Sequence, residues 1–136
     1  MNRYDLQSLA RIRLQEAECL MAAGFQDGAY YLCGYAVECA LKACIAKQTQ
    51  AGDFPERNRV NDSYSHDLMK LTVIAGLKPL FEEACRNDKV LERYWTVAKD
   101  WNESSRYESR GARAQDLIEA ITDPIHGVMR WLQQHW

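Results

Sequence analysis

The side chains in this chain able to do chemistry near neutral pH are few, and each has a structural reading beside its chemical one. His66-Asp67 stands where a polar stretch gives way to an apolar one. Imidazole titrates close to neutrality, so a histidine at such a boundary suits proton transfer at a ligand or RNA site. The same residues suit a helix start, with Asp67 or Ser65 accepting the first backbone N–H groups. Trp101, Arg106, Tyr107 and Arg110 combine guanidinium groups with aromatic rings, a pairing that contacts phosphates and stacked bases. It also closes the end of a helical bundle, with the rings packed and the arginines paired to acids. Glu38 lies within an apolar run, where an unpaired carboxylate is costly to bury. Lys42 follows one helical turn later, in the favourable order for an ion pair. The two lie either on a partly exposed strip or in a buried polar anchor that Arg106 completes. Such an anchor fixes helix register and need not be catalytic.

Several chemistries have no motif here. The sequence has no phosphate-cradling glycine loop, no GxSxG, no HExxH and no Ser/His/Asp set. The five cysteines, Cys19, Cys33, Cys39, Cys44 and Cys85, are odd in number and contain no CxxC pair. That argues against a disulfide framework and a zinc ribbon, and favours cysteine as a small core hydrophobe. No metal or cofactor is expected.

The totals bound the rest. With 136 residues, 47% apolar and 26% charged, the chain suits one globular domain over residues 1–136. Its net charge of -2 gives no overall basic signature, although a local arginine cluster is compatible with that sum. No apolar run approaches the roughly 20 residues needed to span a bilayer. The opening MNRYDLQSLARIR lacks the apolar stretch of a signal peptide, so a cytoplasmic location is expected.

The elements that must position these residues read as helices. The chain is rich in Ala, Leu, Glu, Gln and Arg, without sustained period-two alternation. A first helix is expected from about Arg3 to Ala23, stopped by Gly24. A second, capped by Asp27, runs from Gly28 to about Lys47 and is apolar nearly all round, so it belongs at the centre of the fold. Gln48 to Ser65 reads as a long loop. Short helical patterns follow, one ended by Gly76 and one begun near Pro79 that passes a polar break at Asn87-Asp88. Asn102 to Gly111 is another loop. In the last pattern Ala114, Leu117, Ile118, Ile121, Ile125, Val128, Met129 and Leu132 keep one phase across Pro124, which favours a kinked helix over two separate ones.

The stretch AYYLCGYAVECALKACIA (Ala29 to Ala46) resembles the signature helix of the HEPN family: paired aromatics at Tyr30-Tyr31, then Ala36-Val37-Glu38, then Leu41-Lys42-Ala43. The first helix ending at Ala23-Gly24, His66-Asp67-Leu68 after a loop, and Arg106-Tyr107 before the last helix follow in the family's order. The resemblance implies an all-α, up-and-down bundle of four to five helices, often a homodimer. It also implies RNA or nucleotide binding, partnership with a small nucleotidyltransferase, or metal-independent RNA cleavage by toxins. Cleaving members carry Arg, four to six residues, then His, and these support attack of a ribose 2′-hydroxyl on its phosphate. After Arg106 this chain reads YESRGARA, with no histidine in that window. The spacing recurs only at Arg59/His66 and Arg130/His135, an unimpressive number where chance alone supplies about 0.7. The resemblance therefore implies a binding or partner module without ribonuclease activity. Its rivals are a ribonuclease toxin of a toxin-antitoxin or defence system and a purely structural dimeric subunit.

Overall fold

The computed structural model describes residues 1–49 and 57–136, apart from the Arg59 side chain. Among the described residues the chain is all-α, as expected. Its helices are α1 (Arg3–Ala22), α2 (Gln26–Gln48), α3 (Arg57–Asp62), α4 (Leu68–Ile74), α5 (Lys78–Asn87), α6 (Lys89–Ala98), α7 (Ala114–Thr122) and α8 (Val128–Gln133). Two 3-10 turns, Glu103–Tyr107 and Gly111–Arg113, bridge α6 and α7. None of these helices is long and apolar enough to cross a membrane.

The centre of the fold is α2. Ala36, Val37, Ala40, Leu41 and Ala43, spread around its circumference, are all fully buried. A helix buried over most of its circumference needs neighbours on several sides, and α1, α4, α7, α8 and both 3-10 turns pack on it. The alanines keep these neighbours close. Cys33, Cys39 and Cys44 join this core, and burial pushes the Cys39 and Cys44 thiols up to about 12. They are thus inert hydrophobes at neutral pH. Cys19 is exposed.

Short-range chemistry sets most boundaries. Asn2 and Asp5 form a reciprocal capping box at the start of α1. Helices α1 and α4 both end in a glycine at positive φ, Gly24 and Gly76. The next N–H returns to the last turn in each case, Phe25 to Leu20 O and Leu77 to Thr72 O. Asp88 ends α5 through its N–H to Ala84 O, and its side chain caps α6 by accepting from Val90 and Leu91. The polar break at Asn87-Asp88 therefore divides two helices where one helix passing it was expected.

Three further expectations change. The chain from Gln48 to Ser65 is not loop throughout, because α3 lies within it; residues 50–56 fall outside the described part. Asp27 does not cap α2. Phe25 holds that position, and Asp27 in the first turn instead accepts the Gly111 N–H at 2.6 Å. Finally, Pro124 splits the last helix instead of kinking it. Proline supplies no N–H and clashes with the preceding turn, while Asp123 turns extended (φ -50°, ψ 124°) and its Oδ1 accepts the N–H groups of Ile125 and His126. Ile125 consequently leaves the apolar phase and is exposed, although Val128, Met129 and Leu132 return to the core on α8.

Candidate functional site

The polar residues of α2 meet the His66 segment and the first 3-10 turn at one place. Glu38 is only 2% exposed, and its Oε1 accepts from Lys42 Nζ at 3.0 Å and from His66 Nδ1 at 2.8 Å. The other His66 nitrogen, Nε2, faces Glu103 Oε2 at 3.1 Å. Local structure explains how His66 arrives there. Asp67 caps α4 by accepting the Lys70 N–H, and Ser65 Oγ accepts the Asp67 N–H, so the chain before the helix is held extended. Glu38 Oε2 is buried and has no hydrogen-bonding partner among the described residues. The anchor anticipated around Glu38 is thus completed by His66 and not by Arg106.

Arg106 belongs to a neighbouring aromatic group. Trp101 is buried and lies at 28° to Tyr31 with ring centroids 6.1 Å apart, and Tyr31 continues to Tyr35 at 6.1 Å. Gly34 makes this possible: a Cβ there would overlap the Trp101 indole. Asn102 caps the following turn by accepting the Ser104 N–H. The turn puts Arg106 over the Tyr107 ring, 4.7 Å from its centroid, with Tyr31 and Glu103 also near the guanidinium. Tyr107 is 80% exposed. Arg110 donates to Glu108 at 2.7 Å, which fixes it beside the same turn. Of the four residues in this loop, Trp101 is a packing residue, and Arg106, Tyr107 and Arg110 form the accessible face. A cleft of about 480 Å³ next to it is lined by His66, Asp67, Lys99, Trp101, Glu103 and Ser104.

The remaining candidates do not converge. Arg59 lies on α3, and its side chain is outside the described residues. Arg130 donates to the Ile125 carbonyl at 3.2 Å, whereas the His135 ring packs on Trp131 at 4.4 Å. Burial, then Lys47, lowers the His135 pKa. The two are engaged with different neighbours at the α8 end.

Two features were missed in the sequence. Glu103 carried no signal beyond its place after Asn102, since its pairing with His66 spans two loops. The second is the Asp88–His126 pair, where His126 Nδ1 lies 2.7 Å from Asp88 Oδ2 and ties the α6 cap to the Pro124 turn. The bond from His126, aided by the Leu91 and Val90 N–H groups, holds the Asp88 carboxyl below its ordinary value. Asp123 is lowered by the N–H groups of His126 and Ile125, then by Tyr94. A carboxyl depressed on folding contributes stability that is present above its unfolded pKa and is lost as pH falls through the folded one. Stability measured by urea unfolding should therefore fall below about pH 4. Asp88→Asn, which retains a capping oxygen, should flatten that fall; an unchanged acid limb would remove Asp88 from the account.

Chemically, the arrangement offers a cation and an aromatic ring at the surface, a histidine flanked by carboxylates at both nitrogens, and a buried carboxylate. Among the described residues, no group of three His, Cys, Asp or Glu side chains is placed to hold a metal ion. No curated protein and no solved structure matches the chain. Residues 5–135 match the HEPN domain, which includes the central helix, the His66 segment and the Arg106 turn. A single family match over almost the entire length, on an all-helical bundle with the same ordered elements, means that this chain belongs to the HEPN domain family.

Proposed function

We propose that this HEPN domain is a binding or partner module that contacts RNA or a nucleotide through Arg106, Tyr107 and Arg110 and does not cleave it. The observation that carries the reading is the engagement of His66. With Glu38 on one ring nitrogen and Glu103 on the other, neither nitrogen is free to take a proton from a ribose hydroxyl. The stretch from Tyr107 to α7 supplies no other histidine. The exposed Tyr107 ring and the Arg106 guanidinium over it offer stacking and charge, which is what holding a base and its phosphate requires. The domain is proposed to work as a homodimer or beside a small nucleotidyltransferase.

The test is anisotropy of a labelled single-stranded RNA, and of a labelled nucleotide, at low salt. Tyr107→Ala should weaken RNA binding about tenfold, the size of one lost base stack. Arg106→Ala should weaken it similarly and reduce the salt dependence by about one counterion. The RNA should remain intact throughout. Cleavage that disappears in His66→Ala or His135→Ala would overturn the non-cleaving reading. Negligible binding that none of the substitutions alters would remove the nucleic-acid role.

A further inference from the structure

Helices α5 and α6 carry a cleft whose lining includes neither Glu38 nor Arg106. It has a volume of about 320 Å³, and Met69, Phe81, Cys85 and Trp95 supply its apolar wall. That is the lower end of the size range of small-molecule sites. The wall is held in place from behind, because the Phe81 ring packs on Trp95 with centroids 4.7 Å apart and on Trp131 at 4.3 Å. Phe81 itself is buried, whereas Trp95 is only partly buried and Met69 is 40% exposed. An accessible indole beside a thioether is a stacking surface for a flat ring. Charge gives the cleft a direction. Helices α5 and α6 double back at Asp88 and set Phe81 against Trp95, so Lys78 at the start of α5 and Lys99 just past α6 reach the same open end. Both lysines are exposed, and neither has an acidic partner among the described residues. Glu82, Arg86 and Glu92 complete the charged rim, which thus sets three cations against two carboxylates.

We propose that this cleft binds an aromatic monocarboxylate, with its ring on Trp95 and Met69 and its carboxylate between the Lys78 and Lys99 ammonium groups. The rim charge selects the ligand charge. One negative charge balances the excess cation, whereas a doubly charged phosphate ester overshoots it against Glu82 and Glu92. An amine meets the two lysines as a like charge. The proposal uses none of Arg106, Tyr107 and Arg110, so it stands or falls separately from the nucleic-acid reading. Lys99 also borders the cleft beside that face, so Lys78 is the position that separates the two sites.

Naphthoate is the probe, titrated into the full chain at low salt and followed by the Trp95 indole N–H and the backbone amide resonances. Naphthamide, naphthylmethylammonium and naphthyl phosphate present the same ring with a different charge. Naphthoate should shift the Trp95 indole and the Lys78 and Phe81 amides saturably, and leave those of Arg106 and Tyr107 in place. The amide and the ammonium should bind about tenfold or more weaker, the value of two exposed ion pairs, and the phosphate ester no tighter than naphthoate. Lys78→Ala should weaken naphthoate about fivefold, the upper value for one such pair. Thr96→Trp, at an exposed position on the cleft wall, should fill the cleft and abolish the shifts while the helical spectrum is retained. Both substitutions are at the surface, so both proteins should fold. No shift with naphthoate, equal binding of all four compounds, tighter binding of the phosphate ester, shifts centred on Arg106 and Tyr107, or full binding by Thr96→Trp or Lys78→Ala would each overturn the proposal.

Discussion

Gly34→Ala is expected to destabilise the domain by about 3 kcal/mol, the upper range for overpacking a filled core. In most helices the change is favourable by up to about 1 kcal/mol, because alanine is the better helix former. Here the added methyl would meet the buried Trp101 ring, which lies over α2 at that point. The indole has nowhere to retreat, since Tyr31 is stacked beside it. Trp101→Ala alone should cost about 3–5 kcal/mol through the cavity it leaves. In that background the sign of Gly34→Ala should reverse, toward a gain of a few tenths to about 1 kcal/mol. Urea unfolding of the four proteins of this cycle checks the coupling. Additive costs would show that Trp101 is not what confines Gly34. The same substitutions should weaken RNA binding, because Trp101 starts the segment that carries Arg106 and Tyr107.

The double substitution Lys42→Ala/His66→Ala is expected to cost about 3–5 kcal/mol, the price of leaving a buried charge without partners. Adding Glu38→Met to that pair should recover most of the loss. Glu38 is 2% exposed, but its partners have another environment available: the Lys42 side chain is 21% exposed and that of His66 is 44% exposed. Removing the partners strands the carboxylate, whereas removing the carboxylate returns the partners to water. The order of stabilities, with the triple variant above the double, is the diagnostic result. A triple variant less stable than the double would mean that Glu38 is held by something other than these two groups. Thermal or urea unfolding measures all three.

Much of this architecture is written in local chemistry. Gly24 and Gly76 end their helices because only a residue free of a Cβ adopts positive φ without strain, and Asp67 starts one because its short carboxylate reaches the next N–H groups. The burial of α2 was also legible, since a run apolar on all sides has no stable position at a surface. Pro124 shows where periodicity misleads. The apolar phase before and after it is continuous, yet Asp123 and Pro124 make a turn that restores the phase on a new helix and leaves Ile125 alone of that apolar series exposed. Asp27 misled in another way, because a residue suited to capping its own helix found a better partner in the Gly111 N–H of a distant turn.

By itself, the sequence determined an all-helical domain, the central place of the helix carrying Glu38, and the ordered motifs of the HEPN family. These depend on residue type and on spacing within a few turns, where neighbours along the chain are also neighbours in space. Only the tertiary structure decided that Glu38 is shared by Lys42 and His66, that Glu103 holds the far side of that imidazole, and that Arg106 stands with Tyr107 outside the anchor. The pairings of His66 with Glu38 and Glu103 join residues from separate helices and loops. Which long side chain reaches a buried carboxylate is settled by packing, such as Trp101 lying on Gly34, and not by any pattern along the chain.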